Sequence, residues 1–571
     1  MNAITARTFT LARPYWLETQ NRRSAWLLGG TLVVLTIAAT GFNYWLTLLQ
    51  KTFFDALQER DTPAFVSGVS LFFAVVVAWI LAGTLKTYLE QALLISWRRQ
   101  LTESTMTGWL TGHTFYRIER DRTCDNPDQR LSDDITEYVR LMIRLGLGFI
   151  GNLGTLASMG WLLWTTAGPM SFELAGGTLT IPGYLFWVAV FWGVLQTLVT
   201  HLAGHRLAGA TVVQQTVEAD FRFALAKVRD AAEQIALYRG NAVEQRRLAR
   251  LFDAIRSNWQ ELMRYNVWLS LASGGFSGVA LAVPIVAVAP KVLSGDLTLG
   301  TLMQDVGAFT ATSAAIAWFA LSYSDLFQLS ARVQRLSAMK AAMQAPPPTG
   351  ISVLREAGLN TVEGRDIGLA VPDGRLLTEL DTMSFAPGER WLVRGPSGCG
   401  KSTLLRAIAG LWPFGHGRIG MPERAQVMFV PQRSYLPDGP LREVLAYPGD
   451  ASTCDDSALA QALIDCRLPH LVSRLDETAR WGHTLSPGEQ QRLAFAQVLL
   501  NRPDVLFMDE STSALDNDTE AHLIGLVQAR LPQCTLVSVA HRTTLDAFHD
   551  RRLDLTTATR PAPETADAGR A

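Results

Sequence analysis

Little in this sequence could tie it together covalently. Its 571 residues include five cysteines, and Cys124, Cys399, Cys454, Cys466 and Cys534 show none of the paired spacings of a disulfide frame or a zinc site. Charge of one sign is just as scarce, with a formal net charge of -1. That balance excludes attraction to nucleic acid through phosphate neutralisation, so no nucleic-acid partner is expected. Met1 to Arg23 has scattered arginines and Trp16 rather than a basic start, a short apolar core and a small-residue cleavage site, so no cleaved leader is expected.

Long apolar runs, by contrast, are abundant and crowd the first 330 positions. Six of them, near 25–49, 65–88, 143–165, 183–204, 268–290 and 301–324, are long enough to cross a bilayer, whose hydrocarbon takes roughly 20 helical residues. An even number of crossings puts both ends on one side. The stretches 89–142 and 205–267 are rich in Arg, whereas the short loops after the first, third and fifth runs are not basic. The positive-inside tendency therefore makes the long stretches, both termini and everything after the sixth run cytoplasmic. Both long stretches have helical spacing with few breakers, which predicts membrane helices that continue into cytosolic stalks.

"QAPPPTG", 344–350, reads as a stiff linker. Beyond it the apolar runs "RWLVRG", "AQVMFV", "DVLFMDE" and "CTLVSVAH" are short and separated by helical or loop segments, the pattern of a buried, mainly parallel sheet covered by helices. The expected organisation is multidomain: an all-α six-helix transmembrane domain over 1–344, a linker over 345–350, an α/β domain over 351–558 and a disordered tail over 559–571.

"GPSGCGKST" follows the "RWLVR" strand and leads into "LLRAIAG", so a GxxxxGKS phosphate loop has the strand and helix it requires. Gly395, Gly398 and Gly400 let the backbone curl round phosphate oxygens, Lys401 supplies a fixed cation, and Ser402 can ligate Mg²⁺. Pro396, Ser397, Cys399 and Thr403 complete the set expected to touch ATP. "VLFMDE" is an apolar strand ending in two carboxylates at the ligand side of a parallel sheet. Asp509 is expected in the Mg²⁺ shell, and Glu510 as the base that orients the attacking water.

The order of these pieces, with "LSPGEQQR" before the helix leading to "DVLFMDE", then "SALD" and "VAHR", resembles the nucleotide-binding domain of ABC transporters. That resemblance implies a P-loop ABC ATPase joined to a transmembrane domain of exporter type. It makes Gln432, in "VPQRSYLP", a glutamine that senses Mg²⁺ and couples to the membrane domain. Asp516 then closes a loop at the interface, and His541 is a catalytic switch near the γ-phosphate. It also implies that two such domains face one another head to tail. Ser486, Gly488, Glu489 and Asp516 would then contact ATP held by the opposite copy, in a homodimer.

Some positions depart from the family pattern. "LSPGE" stands for the usual "LSGGQ", and "GLAVPDGRLL" offers Val371 and Pro372 where an adenine-stacking aromatic is common. Cys399 reads either as a small filler or as an oxidation-sensitive group in the loop.

"DNPDQRLSDDI", "AEQIALYRGNAVE", "LGTLMQDVGAF" and "WFALSYSDL" resemble ABC subfamily D and its SbmA/BacA-like relatives. That group implies ATP-driven alternating access and, on its bacterial branch, import of peptides or other hydrophilic compounds across the inner membrane. Export or flipping of fatty-acyl lipids is the alternative, and a nucleotide-sensing membrane regulator without cargo a third. On the residues themselves, "NPDQR" reads as a helix start, and Gln304 and Asp305 stand in the sixth apolar run, facing either a polar cavity or the membrane surface.

Overall fold

The structure is a computed structural model that describes residues 2–18, 22–174, 177–346, 350–540 and 542–557. Contacts divide the chain into two compact units, Met1–Gln344 and Ala345–Ala571.

The first unit is built on six helices long and apolar enough to cross a membrane. After an amino-terminal helix α1 (Asn2–Arg13) come α2 (Arg22–Glu59), α3 (Thr62–Leu110), α4 (Thr114–Asp121) and α5 (Ile135–Thr166). A hairpin of β1 (Met170–Leu174) and β2 (Gly177–Ile181), which the apolar pattern does not announce, leads to α6 (Tyr184–Asp230). Next are α7 (Ala232–Leu237), α8 (Asn241–Leu293), α9 (Leu299–Leu321) and α10 (Tyr323–Gln344). The crossings belong to α2, α3, α5, α6, α8 and α9. With 49 residues in α3 and 53 in α8, each runs about 75 Å at 1.5 Å per residue, far beyond the roughly 30 Å of hydrocarbon. The remainder forms the stalks.

Local chemistry explains the helix starts and the quiet interiors. Asp61 caps α3 by accepting the Ala64 N–H at 3.1 Å, with Pro63 in the first turn, where its missing N–H costs nothing. Inside α2, the hydroxyls of Thr36, Thr40 and Thr47 each donate to the carbonyl four residues back, so no hydroxyl of the three is left bare in hydrocarbon. "NPDQR" is indeed a helix start: Pro127–Gln129 form one turn and Arg130–Asp134 a π-turn that runs into α5. There the buried Asp134 carboxylate accepts from Arg332 and, at 2.8 Å, from Arg335, both on α10. Arg130 donates to the carbonyls of Asp125 and Arg335.

Asp305 is fully buried, one oxygen accepting from Thr166 at 2.5 Å and the other unpartnered. It therefore lies inside the helix packing, beside the carboxyl end of α5.

The second unit has two large sheets, besides a short antiparallel pairing of 439–440 with 478–479. In the first, β3 (Ser352–Glu356), β7 (Gly415–Pro422), β4 (Val362–Ala370) and β5 (Leu376–Phe385) lie in that order, with β4 antiparallel to both neighbours. The second is wholly parallel: β11 (Arg551–Asp554), β6 (Arg390–Arg394), β10 (Thr535–Val539), β9 (Val505–Asp509) and β8 (Val427–Val430). Every residue of β10, and the first four of β9, are buried, which is why these strands read as continuous apolar runs and not as alternation.

Helix α11 (Lys401–Ile408) and the strands share one apolar core. Helices α12 (Leu441–Ala446), α13 (Asp456–Asp465), α14 (Pro487–Asn501) and α15 (Asn517–Arg530) share another with the fully buried Trp481 and with Leu392, Leu506 and Leu536 of the parallel sheet.

Candidate functional site

The carboxyl ends of β6, β10, β9 and β8 lie side by side, and the loops leaving these strands meet over that edge. Crossovers in a parallel sheet cover its faces and leave this edge open for ligands. The loop 395–400 leaves β6 and winds into α11, with Gly398 at φ 82° and Gly400 at φ 103°. A side chain at either position would strain the turn, and its absence lets consecutive N–H groups point inward as a nest for an anion. Cys399 is fully buried beneath the loop and packs into the sheet core.

Lys401 closes the nest. Its Nζ donates to the carbonyls of Gly395 at 2.8 Å and Pro396 at 2.9 Å, which arches the buried side chain back over the loop. Pro396, Ser397 and Gly398 are exposed along the rim, and Ser402 and Thr403 stand half-buried in the first turn of α11.

Two pairs define the reactive edge. The Ser402 hydroxyl donates to Asp509 Oδ1 at 3.0 Å, which links the start of α11 to the end of β9. Gln432, beyond β8, donates to Glu510 Oε2 at 3.1 Å. Glu510 has φ 47°, a left-handed conformation that costs a non-glycine residue and persists only where neighbours enforce it. Its N–H is held by the Val539 carbonyl at 2.9 Å.

A hydroxyl, a carboxylate and an amide carbonyl form an all-oxygen donor set suited to Mg²⁺, a hard cation that keeps several waters and takes few protein ligands. Among the described residues no cluster of three or more His, Cys, Asp or Glu could hold a metal. His541 falls outside the described residues.

The segment 485–492 forms a separate piece. Ser486 caps α14 with Pro487 in the first turn, and Glu489 closes a capping box: its carboxylate accepts from the Ser486 N–H at 2.9 Å and the Ser486 hydroxyl at 2.7 Å. These bonds, the Ser486 hydroxyl first, hold the Glu489 carboxyl below the usual range. Asp516 caps α15 by accepting from Thr519 N–H at 2.8 Å, and this backbone bond likewise holds its carboxyl low.

Between the two caps, Gln491 donates to Ser513 and accepts from Ala514 N–H, while Arg542 donates to the carbonyls of Ser513 and Leu515. The caps and the loop 511–516 are thus one hydrogen-bonded block. At Gly488 an added Cβ would sit 3.3 Å from the Ala514 carbonyl, so glycine keeps this turn close to the loop.

Sequence reasoning passed over Gln491 and Arg542, although both stand inside quoted motifs. It also passed over Trp412, whose indole donates to the Ala370 carbonyl at 2.8 Å and packs edge-on to Phe414. That aromatic surface comes from beyond the phosphate loop, where no search for a stacking residue upstream would find it.

Comparison with known proteins agrees with this arrangement. Residues 15–293 match the family described as ABC transporter transmembrane region 2, and residues 379–513 match the ABC transporter family. The chain is 31% identical over 547 residues to the inner membrane ABC transporter ATP-binding protein YddA of Escherichia coli, covering 95% of this chain and 96% of that one. The chain belongs to the ABC transporter family. Human lysosomal cobalamin transporter ABCD4, of subfamily D, is 28% identical over 572 residues, covering 92% of this chain and 90% of that protein. A solved bacterial Atm1-family ABC exporter with ATP bound shares the fold, with a TM-score of 0.73 at 18% identity over 94% of both chains. The transporter thus joins a six-helix membrane domain to an ABC ATPase domain in one half-transporter chain, and its ATPase domain hydrolyses ATP to drive transport.

Proposed function

We propose that two copies of this transporter sandwich two ATP molecules head to tail and use their closure to drive alternating access across a bacterial inner membrane. The observation that carries this reading is the paired edge of the ATPase unit, Ser402 with Asp509 and Gln432 with Glu510. The backbone of residues 395–400 binds the phosphates with Pro396, Ser397, Cys399 and Thr403 around them, and Lys401 turns from its carbonyls to the outer phosphates. Ser402, Gln432 and Asp509 would hold Mg²⁺, which when bound neutralises phosphate charge and aligns the terminal phosphoryl group.

Glu510, beside the metal ligands and restrained by the Gln432 amide, orients and deprotonates water once that amide moves. His541 stabilises the γ-phosphate. Ser486, Gly488, Glu489 and Asp516 act on the ATP of the second copy. The rigid block that joins the two caps would let one ligand event set both.

Topology supports cytoplasmic termini and a cytoplasmic ATPase unit, given the arginine-rich stalks. For cargo, we favour uptake of peptides or other hydrophilic compounds, as on the SbmA/BacA-like branch. The buried, unpartnered oxygens of Gln304 and Asp305 and the hydroxyl of Thr312 give the membrane helices a polar interior that water or a polar solute would satisfy. The cobalamin named for the human relative is a hydrophilic cargo of the same kind.

Glu510→Gln tests the engine. Nucleotide binding should persist while phosphate release falls by roughly a hundredfold or more, the range for losing a catalytic base. ATP-dependent accumulation of a labelled peptide in oriented vesicles tests the cargo and its direction. Normal hydrolysis by the Gln variant would overturn the assigned base.

A further inference from the structure

The capping box at the head of α14 holds an anion of its own. Glu489 Oε2 sits 2.9 Å from the Ser486 N–H and 2.7 Å from the Ser486 oxygen, and Ser486 is a residue that the head-to-tail arrangement assigns to a phosphate. Ser486 has one hydroxyl proton to donate, and Glu489 accepts that bond. A carboxylate here also draws on the positive end of the helix dipole, the same field that would attract a nucleotide's terminal phosphate.

The other carboxylate oxygen, Oε1, lies 3.1 Å from His470 Nε2, on the short 3₁₀ turn Pro469–Arg474. Neighbouring cations act on Glu489 only through space, their hydrogen bonds going elsewhere: Arg474 to Glu477 at 2.7 Å, and Arg492 to the carbonyls of Gly488 and Arg467. The imidazole is therefore placed to keep the carboxylate when Ser486 lets go.

We infer that Glu489 is a positioning residue that occupies the phosphate position of its own signature loop until ATP on a second copy displaces it toward His470. This rests on the head-to-tail reading above and adds to it a competition: closure exchanges an internal anion for an external one. In the resting chain the internal anion pre-orders Ser486 and Gly488. On closure its negative charge opposes the incoming phosphates, and His470 lessens that opposition by drawing the carboxylate away. The substitution of Glu for the commoner Gln at this position then sets the ATP concentration at which the dimer closes.

The test uses the full-length transporter in lipid nanodiscs with MgATP as probe. Glu489→Gln keeps both capping bonds, because glutamine serves a capping box equally, and removes the charge. Its KM for ATP should fall roughly three- to tenfold, the size of one partly screened charge at a helix terminus, read separately from any change in kcat. His470→Gln should raise KM in the native background and leave it unchanged once Glu489→Gln is present. A wild-type KM in Glu489→Gln, or additive effects of the two substitutions, would overturn the proposal and leave Glu489 as a helix cap. Ser486→Arg separates the two levels: if it abolishes turnover while Glu489→Gln behaves as wild type, only the competition fails, and if it leaves turnover intact, the head-to-tail reading fails with it.

Discussion

The two units of this chain treat apolar surface in opposite ways. In the second unit, Leu354, Tyr435, Tyr447 and Ile464 are its only exposed large hydrophobics among the described residues, and two cores take the rest. In the first, rows of such side chains stand bare along the helices: Phe73, Val77, Ile80 and Leu81 on α3, and Phe191, Val194 and Leu198 on α6. Buried polar atoms without a partner occur in both units, on Gln304, Asp305 and Thr312 in the first and on Ser511 and Glu520 in the second. Apolar burial thus follows the solvent. A unit in lipid gains nothing by hiding its leucines, whereas a unit in water must hide them.

The sharpest way to break this comparison is one charge placed on a bare apolar position in each unit. Leu81 is 65% exposed and Ile464 49%. Leu81→Asp should disfavour membrane insertion by about 3 kcal/mol, as for a carboxylate near the middle of a membrane helix, and a glycosylation-based insertion assay would read it. Ile464→Asp should stay within about 0.5 kcal/mol, as surface changes do in water. Equal effects would mean that the two faces share a solvent.

A smaller effect is expected where the first unit leaves the bilayer. Asp134 is 2% exposed between Arg332 and Arg335, which are 22% and 44% exposed. Removing its charge strands two partly solvated guanidiniums, so Asp134→Asn should lower stability by about 2 kcal/mol, less than for a fully buried pair. Hydrogen exchange at the α5 and α10 amides would localise the loss to the stalk, and loss confined to the membrane segments would count against it.

The smallest effect concerns the second unit and pH. His549 Nδ1 lies 2.8 Å from the Leu545 carbonyl and Nε2 2.8 Å from the Ser538 hydroxyl. A neutral ring satisfies both, donating from Nδ1 and accepting at Nε2. Burial pushes the His549 pKa below its ordinary value of 6.5. The folded unit then binds fewer protons than the unfolded chain, so this contribution to stability is whole above 6.5 and is lost as pH falls toward the folded value. The slope can reach at most about 1.4 kcal/mol per pH unit for one group. Exchange protection of the β10 amides followed from pH 8 to 5 should show it, and His549→Gln should flatten that dependence. An unchanged slope would assign the proton elsewhere.

Most of the architecture was legible because its signals are local. A phosphate loop needs consecutive residues and a strand on one side, and a crossing needs about 20 apolar residues in a row. Asp509 and Glu510 could be placed from the strand that carries them. What escaped was whatever depends on a partner distant in the chain. That Asp305 is buried, with one oxygen held by Thr166 from 139 positions away, was not legible in the apolar run that contains it. Trp412 was hidden because its neighbour Ala370 lies 42 positions upstream.

The sequence by itself determined the two solvents, the six crossings and the chemistry of the phosphate loop, since composition, length and contiguous motifs impose these through hydrophobic transfer and backbone geometry. Only the tertiary structure decided which groups touch: that Ser402 meets Asp509, that Gln432 restrains Glu510, and that Glu489 has His470 for a second partner. Hydrogen bonds act over about 3 Å, and which side chains come that close is settled by how strands and helices stack.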